Sequence, residues 1–120
     1  MAKKPARKGV FPRGEKEQPA HIYAERIARK FNLSITSGYR SKAENAAIGG
    51  APNSFHTRGL GFDFVPQRSG AWGQLDRTRA WAYTRFSRKF AEVLWRVSGH
   101  YDHLHIAIAP GKATPSRRRY

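Results

Sequence analysis

The fold of this chain is best interpreted from one stretch of its sequence, Ser54-Phe55-His56-Thr57-Arg58-Gly59-Leu60-Gly61-Phe62-Asp63. It places His56 seven residues before Asp63, with two glycines between them. A second cluster, His100-Tyr101-Asp102-His103-Leu104-His105, follows later, and the two places hold four of the five histidines. A nitrogen and an oxygen ligand from one segment, with a nitrogen from another, form the three-ligand set of a catalytic zinc that keeps an open position. The sequence therefore predicts a metal site, provided that the fold brings the two segments together.

Strand periodicity indicates how the two segments would face one another. Alternation over residues 60–65 predicts a strand that Pro66 ends. On that strand Asp63 would point away from the phenylalanines on either side of it, so that its carboxylate could face a cleft. A last strand is predicted over residues 103–109, where His103 and His105 share one face while Asp102 points away.

The remainder of the chain alternates between helical and strand patterns. Apolar spacing predicts a helix over about 19–31 and a strand over 33–39. Ser41 begins a short helix, because Glu44 follows it at capping-box spacing. Near-helical spacing of aromatic and aliphatic residues predicts one long helix from Asp76 to about Val97. The order helix, strand, helix, strand, helix, strand favours an α+β domain with a small antiparallel sheet flanked by helices.

Composition limits the classes of function. A chain of 120 residues has room for one domain with a substantial core. The absence of cysteine excludes both a disulfide framework and a thiolate zinc finger. No apolar run approaches the ~18–20 residues that span a bilayer, so membrane insertion is not expected. The basic residues near the start are not followed by an apolar segment, and a conventional signal peptide is therefore not expected.

The net charge is +15, with a sequence pI near 11.2. Residues 1–17 carry six basic and two acidic side chains and residues 111–120 carry four basic ones, which leaves +7 for residues 18–110. We predict a basic flexible arm over 1–18, a folded domain over 19–110 and a basic tail over 111–120. Such a charge attracts polyanions, including nucleic acid, anionic lipid and anionic cell-wall polymer. No sequence pattern of a specific nucleic-acid reader is present, so specific nucleic-acid binding is not expected.

Four ordered motifs resemble a known family. They are Ser37-Gly38-Tyr39-Arg40-Ser41, Asn45-Ala46-Ala47-Ile48-Gly49-Gly50, Asn53-Ser54-Phe55-His56-Thr57-Arg58-Gly59 and His100-x-x-His103-x-His105. The set resembles the zinc D-alanyl-D-alanine carboxypeptidases and L-alanyl-D-glutamate endopeptidases, which are peptidoglycan peptidases of bacteria and their phages. These enzymes share a fold with the Hedgehog signalling domain. The resemblance covers about residues 19–109 and implies a Hedgehog/DD-peptidase-like fold.

The resemblance also implies roles for single residues. One zinc ion would be held by three ligands: His56, Asp63 and His105. His103 matches a histidine that helps to activate water or to stabilise the transition state. Arg40 matches an arginine that holds a substrate carboxylate, a task that suits a planar guanidinium because it can bind bidentately. Supporting roles are expected for His100 and Ser54.

The sequence departs from the family pattern in two places. Gly61 stands where the family usually has alanine, and the loss of a methyl group is expected to loosen the packing slightly while leaving the ligands intact. Some relatives use a glutamate as general base, and no glutamate is expected near His105. His103 is therefore the expected proton carrier.

The resemblance implies a zinc-dependent peptidase that cleaves peptide bonds in peptidoglycan stem peptides, as a carboxypeptidase or as an endopeptidase. Anionic wall polymers would be drawn to its basic surface. The enzyme would be made in a host cytoplasm and act on the wall after release, or it would be carried in a virion with virion partners. Two other functions stay open: an inactive or structural zinc-binding domain of the same fold, and a non-specific polyanion or nucleic-acid binder in which the histidines are incidental.

Overall fold

The computed structural model describes residues 9–120, and the start of the predicted basic arm, residues 1–8, lies outside them. Within the described residues the helices and strands are α1 (Ala20–Phe31), β1 (Leu33–Ser37), α2 (Lys42–Ala47), β2 (Gly61–Pro66), α3 (Gly73–Tyr83), β3 (Phe90–Leu94) and β4 (Leu104–Ile108). The strands form one antiparallel sheet in the order β1-β2-β4-β3. The predicted α+β class, with a small antiparallel sheet and flanking helices, is confirmed.

The core lies on one face of this sheet. Phe62 and Phe64 on β2 are almost completely buried, as is Ile106 on β4. Helices α1 and α3 pack on the sheet and complete the core with side chains such as Ile27 and Leu75, which have no exposed surface. Phe62 pairs with Ile106 in the register, and the next pair is Asp63 with His105. Since neighbouring residues of a strand face opposite sides, this polar pair lies on the face away from the core.

The first two helices begin close to where the sequence predicts, and α1 also ends there. α1 buries one stripe of side chains and stops at Asn32, whose φ of 55° is left-handed. α2 begins with a complete capping box, in which the Ser41 hydroxyl accepts from the Glu44 amide at 3.1 Å and the Glu44 carboxylate accepts from the Ser41 amide at 3.0 Å. This cap fixes the start of the helix that directly follows Arg40.

The long helix predicted from Asp76 to about Val97 is wrong. α3 starts three residues earlier, at Gly73, and ends at Tyr83. The chain then turns and returns as β3, an edge strand beside β4. The sheet therefore has one strand more than the sequence pattern predicts.

A β-bulge explains why β3 resembles a helix in sequence. The pairing of β3 with β4 shifts register between Phe90 and Glu92, so that Phe90 and Val93 are both buried although they lie three residues apart. A spacing of three is also the spacing of a helix face. The preceding turn contains Ser87 with a φ of 64°, a left-handed conformation that a continuous helix does not contain.

The division of the chain at residues 18 and 110 stays a prediction. Within the described residues, parts of both flanking segments contact the domain. Val10 is buried, and the ring of Phe11 stacks on that of Tyr23 at 5.1 Å. Pro19 and Thr114 form a parallel bridge, and Ser116 is buried. Over residues 9–120, none of the helices has the length and apolar composition of a membrane-spanning segment.

Candidate metal centre

The three predicted ligands come together on the open face of the sheet, which is the face away from the core. His56, Asp63 and His105 each offer one ligand atom, and these atoms all lie within 4.8 Å of one another. Both histidines face the same carboxylate oxygen: Asp63 Oδ1 lies 3.2 Å from His56 Nε2 and 3.0 Å from His105 Nδ1. The register of β2 and β4 produces this arrangement, because it sets Asp63 directly opposite His105.

A tight turn holds His56 in place. Its Nδ1 lies 2.8 Å from the Gly38 carbonyl, which can only accept, so Nδ1 carries a hydrogen and Nε2 is the nitrogen that faces Asp63. The side chain of Ser54 accepts from the His56 amide at 3.2 Å, which stabilises the turn. The backbone of Gly59 is left-handed, with a φ of 72°. Ser54 thus supports the position of the predicted ligand, and a contact of Ser54 with substrate stays a prediction.

His105 is held from both sides. Its Nδ1 faces Asp63, and its Nε2 lies 2.8 Å from Glu92 Oε1. The expectation that no glutamate lies near His105 is therefore wrong. Glu92 belongs to β3, the strand hidden by the helix-like spacing, and for that reason the sequence did not place it near the site. The only signal was the acidic residue itself, in the middle of an apolar run.

Charge in the cluster favours a bound cation. Burial alone would raise the pKa of Asp63, but hydrogen bonds from His105 and His56 outweigh it and hold that pKa well below its usual range. Burial would lower the pKa of His105, but hydrogen bonds to Asp63 and Glu92 outweigh it and raise that pKa. The cluster therefore favours a positive charge beside the Asp63 carboxylate, and in the absence of metal a proton on His105 supplies it. A zinc ion supplies one, and two nitrogens with one oxygen are a donor set that zinc accepts.

The loop before β4 places His103 and His100 beside the three ligands. His103 Nε2 lies 3.8 Å from Asp63 Oδ1, so His103 approaches the same oxygen as His105, although it lies just before β4 and not within that strand. The His100 ring is centred 5.0 Å from that of His103 and 5.7 Å from that of His105. A catalytic role for either residue stays a prediction.

Asp102 is a candidate that the sequence pattern missed. Its Oδ1 lies 2.7 Å from Nδ1 of His103, and hydrogen bonding to that histidine lowers the pKa of the carboxyl. A regular strand through residue 103 would point Asp102 away from the histidines, but β4 begins only at Leu104. The bend before β4 lets this carboxylate reach the ring of its neighbour.

The backbone of Arg40 lies next to the cluster, and its side chain has a hydrogen-bond donor without a partner. Its amide donates to the His56 carbonyl at 3.2 Å. Its side-chain Nε is buried without a hydrogen-bond partner, and Arg40 forms no ion pair with any of residues 9–120. Buried donors are normally paired, so a guanidinium in this state is suited to an acidic group from outside the described chain.

Comparison with known proteins agrees with the geometry. A family model described as Peptidase M15 matches residues 3–107, a span that contains His56, Asp63, His105 and Arg40. No curated protein sequence matches the chain, and no solved structure does. The family match covers most of the chain and all of the residues that converge on the open face of the sheet. The chain therefore belongs to the M15 family of zinc peptidases.

Proposed function

We propose that this protein is a zinc-dependent peptidase that hydrolyses peptide bonds in peptidoglycan stem peptides. Membership of the M15 family supports a metallopeptidase, and the substrate is the proposed part. The observation that carries the proposal is the convergence of His56 Nε2 and His105 Nδ1 on one oxygen of Asp63. With a zinc ion on these three side chains, a bound water would be acidified towards a pKa of ~7 and the scissile carbonyl would be polarised.

His103 is the proposed proton carrier. Asp102 accepts a hydrogen bond from Nδ1 of His103, and this contact places the lone pair of Nε2 on the side of Asp63. Nε2 is then free to accept a proton from the attacking water and to return it to the leaving amine. The side chain of His103 is about one quarter exposed, so the proton can also exchange with solvent. His100 packs beside this ring and would limit its rotation.

Arg40 is the proposed site for a carboxylate of the stem peptide. Its unpaired, buried Nε and its backbone contact with His56 support this role. A guanidinium can bind a carboxylate through two parallel hydrogen bonds, which would orient the peptide as well as attract it. Stem peptides carry more than one carboxylate, so Arg40 would serve a carboxypeptidase and an endopeptidase equally.

The experiment is a digestion of purified peptidoglycan by the zinc-loaded protein, with new termini identified by mass spectrometry. Release of free D-alanine identifies a carboxypeptidase, whereas a new amino terminus within the stem identifies an endopeptidase. Asp63→Asn is expected to abolish cleavage, because the amide replaces a charged ligand. The matched control Glu17→Gln changes an exposed carboxylate in the same way and should leave cleavage intact.

Several wall chemotypes should be digested in parallel. If none of them gains a new amine or carboxyl terminus, the enzyme proposal is wrong. Stoichiometric zinc without cleavage would then support a structural zinc domain, and absence of zinc would support a polyanion binder.

The proposed setting, a phage lysis enzyme or a wall-degrading part of a virion, is consistent with the +15 charge, because that charge attracts anionic wall polymers.

A further inference from the structure

We infer that Glu92 is a positioning residue for His105, which it holds so that Nδ1 rather than Nε2 is presented to the metal. The inference rests on the proposed zinc site and adds to it a residue outside the predicted ligand set. Glu92 Oε1 lies 2.8 Å from His105 Nε2, and His105 Nδ1 lies 3.0 Å from Asp63 Oδ1. Each nitrogen of the ring therefore has its own carboxylate.

The sheet itself sets this contact. β3 pairs with β4 so that Glu92 lies opposite Ala107 and Leu94 lies opposite His105. Glu92 and His105 are thus diagonal neighbours across the two strands, a distance that a long side chain spans. The bulge after Phe90 shifts the strand by one residue and thereby turns Glu92 towards the open face.

The chemistry of imidazole then decides which nitrogen faces the metal. A neutral ring has one nitrogen with a hydrogen and one with a lone pair. An ionised carboxylate only accepts, so the nitrogen beside Glu92 carries the hydrogen, and Nδ1 keeps the lone pair that a metal requires. Without Glu92, either tautomer of His105 would be accessible, and one of them places a hydrogen where the metal should bind.

Other roles for Glu92 fit the geometry less well. The imidazole ring of His105 lies between the Glu92 carboxylate and Asp63, and so separates Glu92 from the point where the three ligand atoms converge. A direct proton transfer from Glu92 to substrate would require this ring to move, although the His105 side chain is only 6% exposed. The hydrogen bond to His105 is the one that the Glu92 side chain makes within residues 9–120. A carboxylate with a single partner is well suited to orienting that partner.

The test uses three substitutions at this position and reads metal affinity. Glu92→Ala removes the acceptor, and Glu92→Asp keeps the charge but shortens the side chain so that it no longer reaches Nε2. Glu92→Gln keeps an acceptor oxygen at the original length. We expect Glu92→Ala and Glu92→Asp to bind zinc about 10–100-fold more weakly, and Glu92→Gln to bind close to the unmodified protein.

Zinc dissociation constants would be measured by competition with a chromophoric chelator, and Glu17→Ala would serve as an exposed control. The visible spectrum of the cobalt-substituted protein gives a second readout, because its bands should change in Glu92→Ala and Glu92→Asp but not in Glu92→Gln. Thermal unfolding of the metal-free variants would show whether each one folds. A loss of fold in Glu92→Ala leaves the comparison of the aspartate and glutamine variants as the deciding one.

Three results would overturn the inference. Equal zinc affinity in Glu92→Asp and the unmodified protein would show that the contact with Nε2 has no effect. Weakening in Glu92→Gln as large as that in Glu92→Ala would show that an acceptor oxygen at this position does not set the orientation of the ring. Failure of the unmodified protein to bind zinc would overturn this inference together with the proposed function, whereas the first two results leave the proposed function intact.

Discussion

Asp63 Oδ1 has two imidazole nitrogens within hydrogen-bonding distance, and this single atom organises the site. His56 is oriented by a backbone carbonyl and His105 by a carboxylate, so both rings reach Asp63 without freedom to turn. Second partners of this kind usually raise metal affinity, because the ligands need no reorganisation when the metal binds.

Zinc affinity should fall as the pH is lowered through the neutral range. In the metal-free protein the pKa of His105 is raised above the ordinary histidine value. As the pH falls, a proton therefore begins to compete with zinc for Nδ1 at a higher pH than it would on an ordinary histidine. The lowered pKa of Asp63 keeps that residue ionised throughout, and it adds no competition there. Competition titrations at a series of pH values should show at least about one proton released per zinc bound. A flat affinity across that series contradicts the predicted role of His105.

Substitution of His103 should separate chemistry from metal binding. His103→Ala is expected to lower kcat by about 10²–10⁴-fold, the usual contribution of a general acid–base residue, while zinc affinity changes little. Asp102→Asn should lower kcat less, because the amide oxygen can still accept from Nδ1 of His103. Steady-state rates on a defined stem peptide, with the zinc content of each variant, provide the measurement. An unchanged rate in His103→Ala would remove that residue from the mechanism.

At the scale of elements, most of the sheet and its helices could be predicted because their patterns are regular. The capping box of α2, the stop of α1 at Asn32 and the alternation of β2 all have local causes that a sequence displays. β3 could not be predicted because its bulge converts a strand period into a helical one. Glu92 was missed with it, since its role depends on pairing with a strand distant in sequence.

Gly61 shows the same dependence on packing between elements. The sequence suggested that a missing methyl group would only loosen the packing at the start of β2. In the structure, a Cβ at Gly61 would lie 2.9 Å from the His56 amide nitrogen and 3.0 Å from the Phe55 carbonyl carbon. The glycine therefore allows β2 to approach the turn that carries His56.

Gly61→Ala should consequently destabilise the fold and weaken zinc binding together. Backbone atoms must move to admit the methyl group, and overpacking of this kind costs about 1–3 kcal/mol. Gly73→Ala is the matched control, because its added Cβ has only an Arg77 side-chain atom near it, at 3.9 Å. Chemical denaturation and a zinc titration of both variants test this prediction. A Gly61→Ala protein as stable as the control would show that the turn adapts without cost.

At the scale of the whole molecule, the segment from residue 115 to residue 120 contacts two of the loops that carry predicted site residues, the one with Arg40 and the one with His56. The Ser116 amide donates to the Gly59 carbonyl at 2.8 Å, and the Arg118 carbonyl accepts from the Tyr39 amide at 3.1 Å. A Cβ at Gly38 would lie 2.8 Å from that Arg118 oxygen. Gly38 is also the residue whose carbonyl orients His56, so the segment supports the site through its backbone.

Deletion of residues 117–120 should therefore weaken zinc binding and lower the thermal stability, besides removing positive charge. Changing Arg117, Arg118 and Arg119 to glutamine removes the charge, together with the ion pairs of Arg118 with Glu25 and of Arg119 with Glu44, but leaves the backbone contact of residue 118 with Tyr39 in place. We expect the triple variant to keep near-normal zinc affinity while its binding to anionic wall polymer becomes less sensitive to salt. The deletion should reduce both the zinc affinity and the salt sensitivity of wall binding, because it also releases the loop that contains Gly38. Zinc titrations measure the support that the segment gives to the metal site, and sedimentation with purified walls at several salt concentrations measures the effect of its charge. A deletion variant with full zinc affinity would show that the segment acts by charge alone.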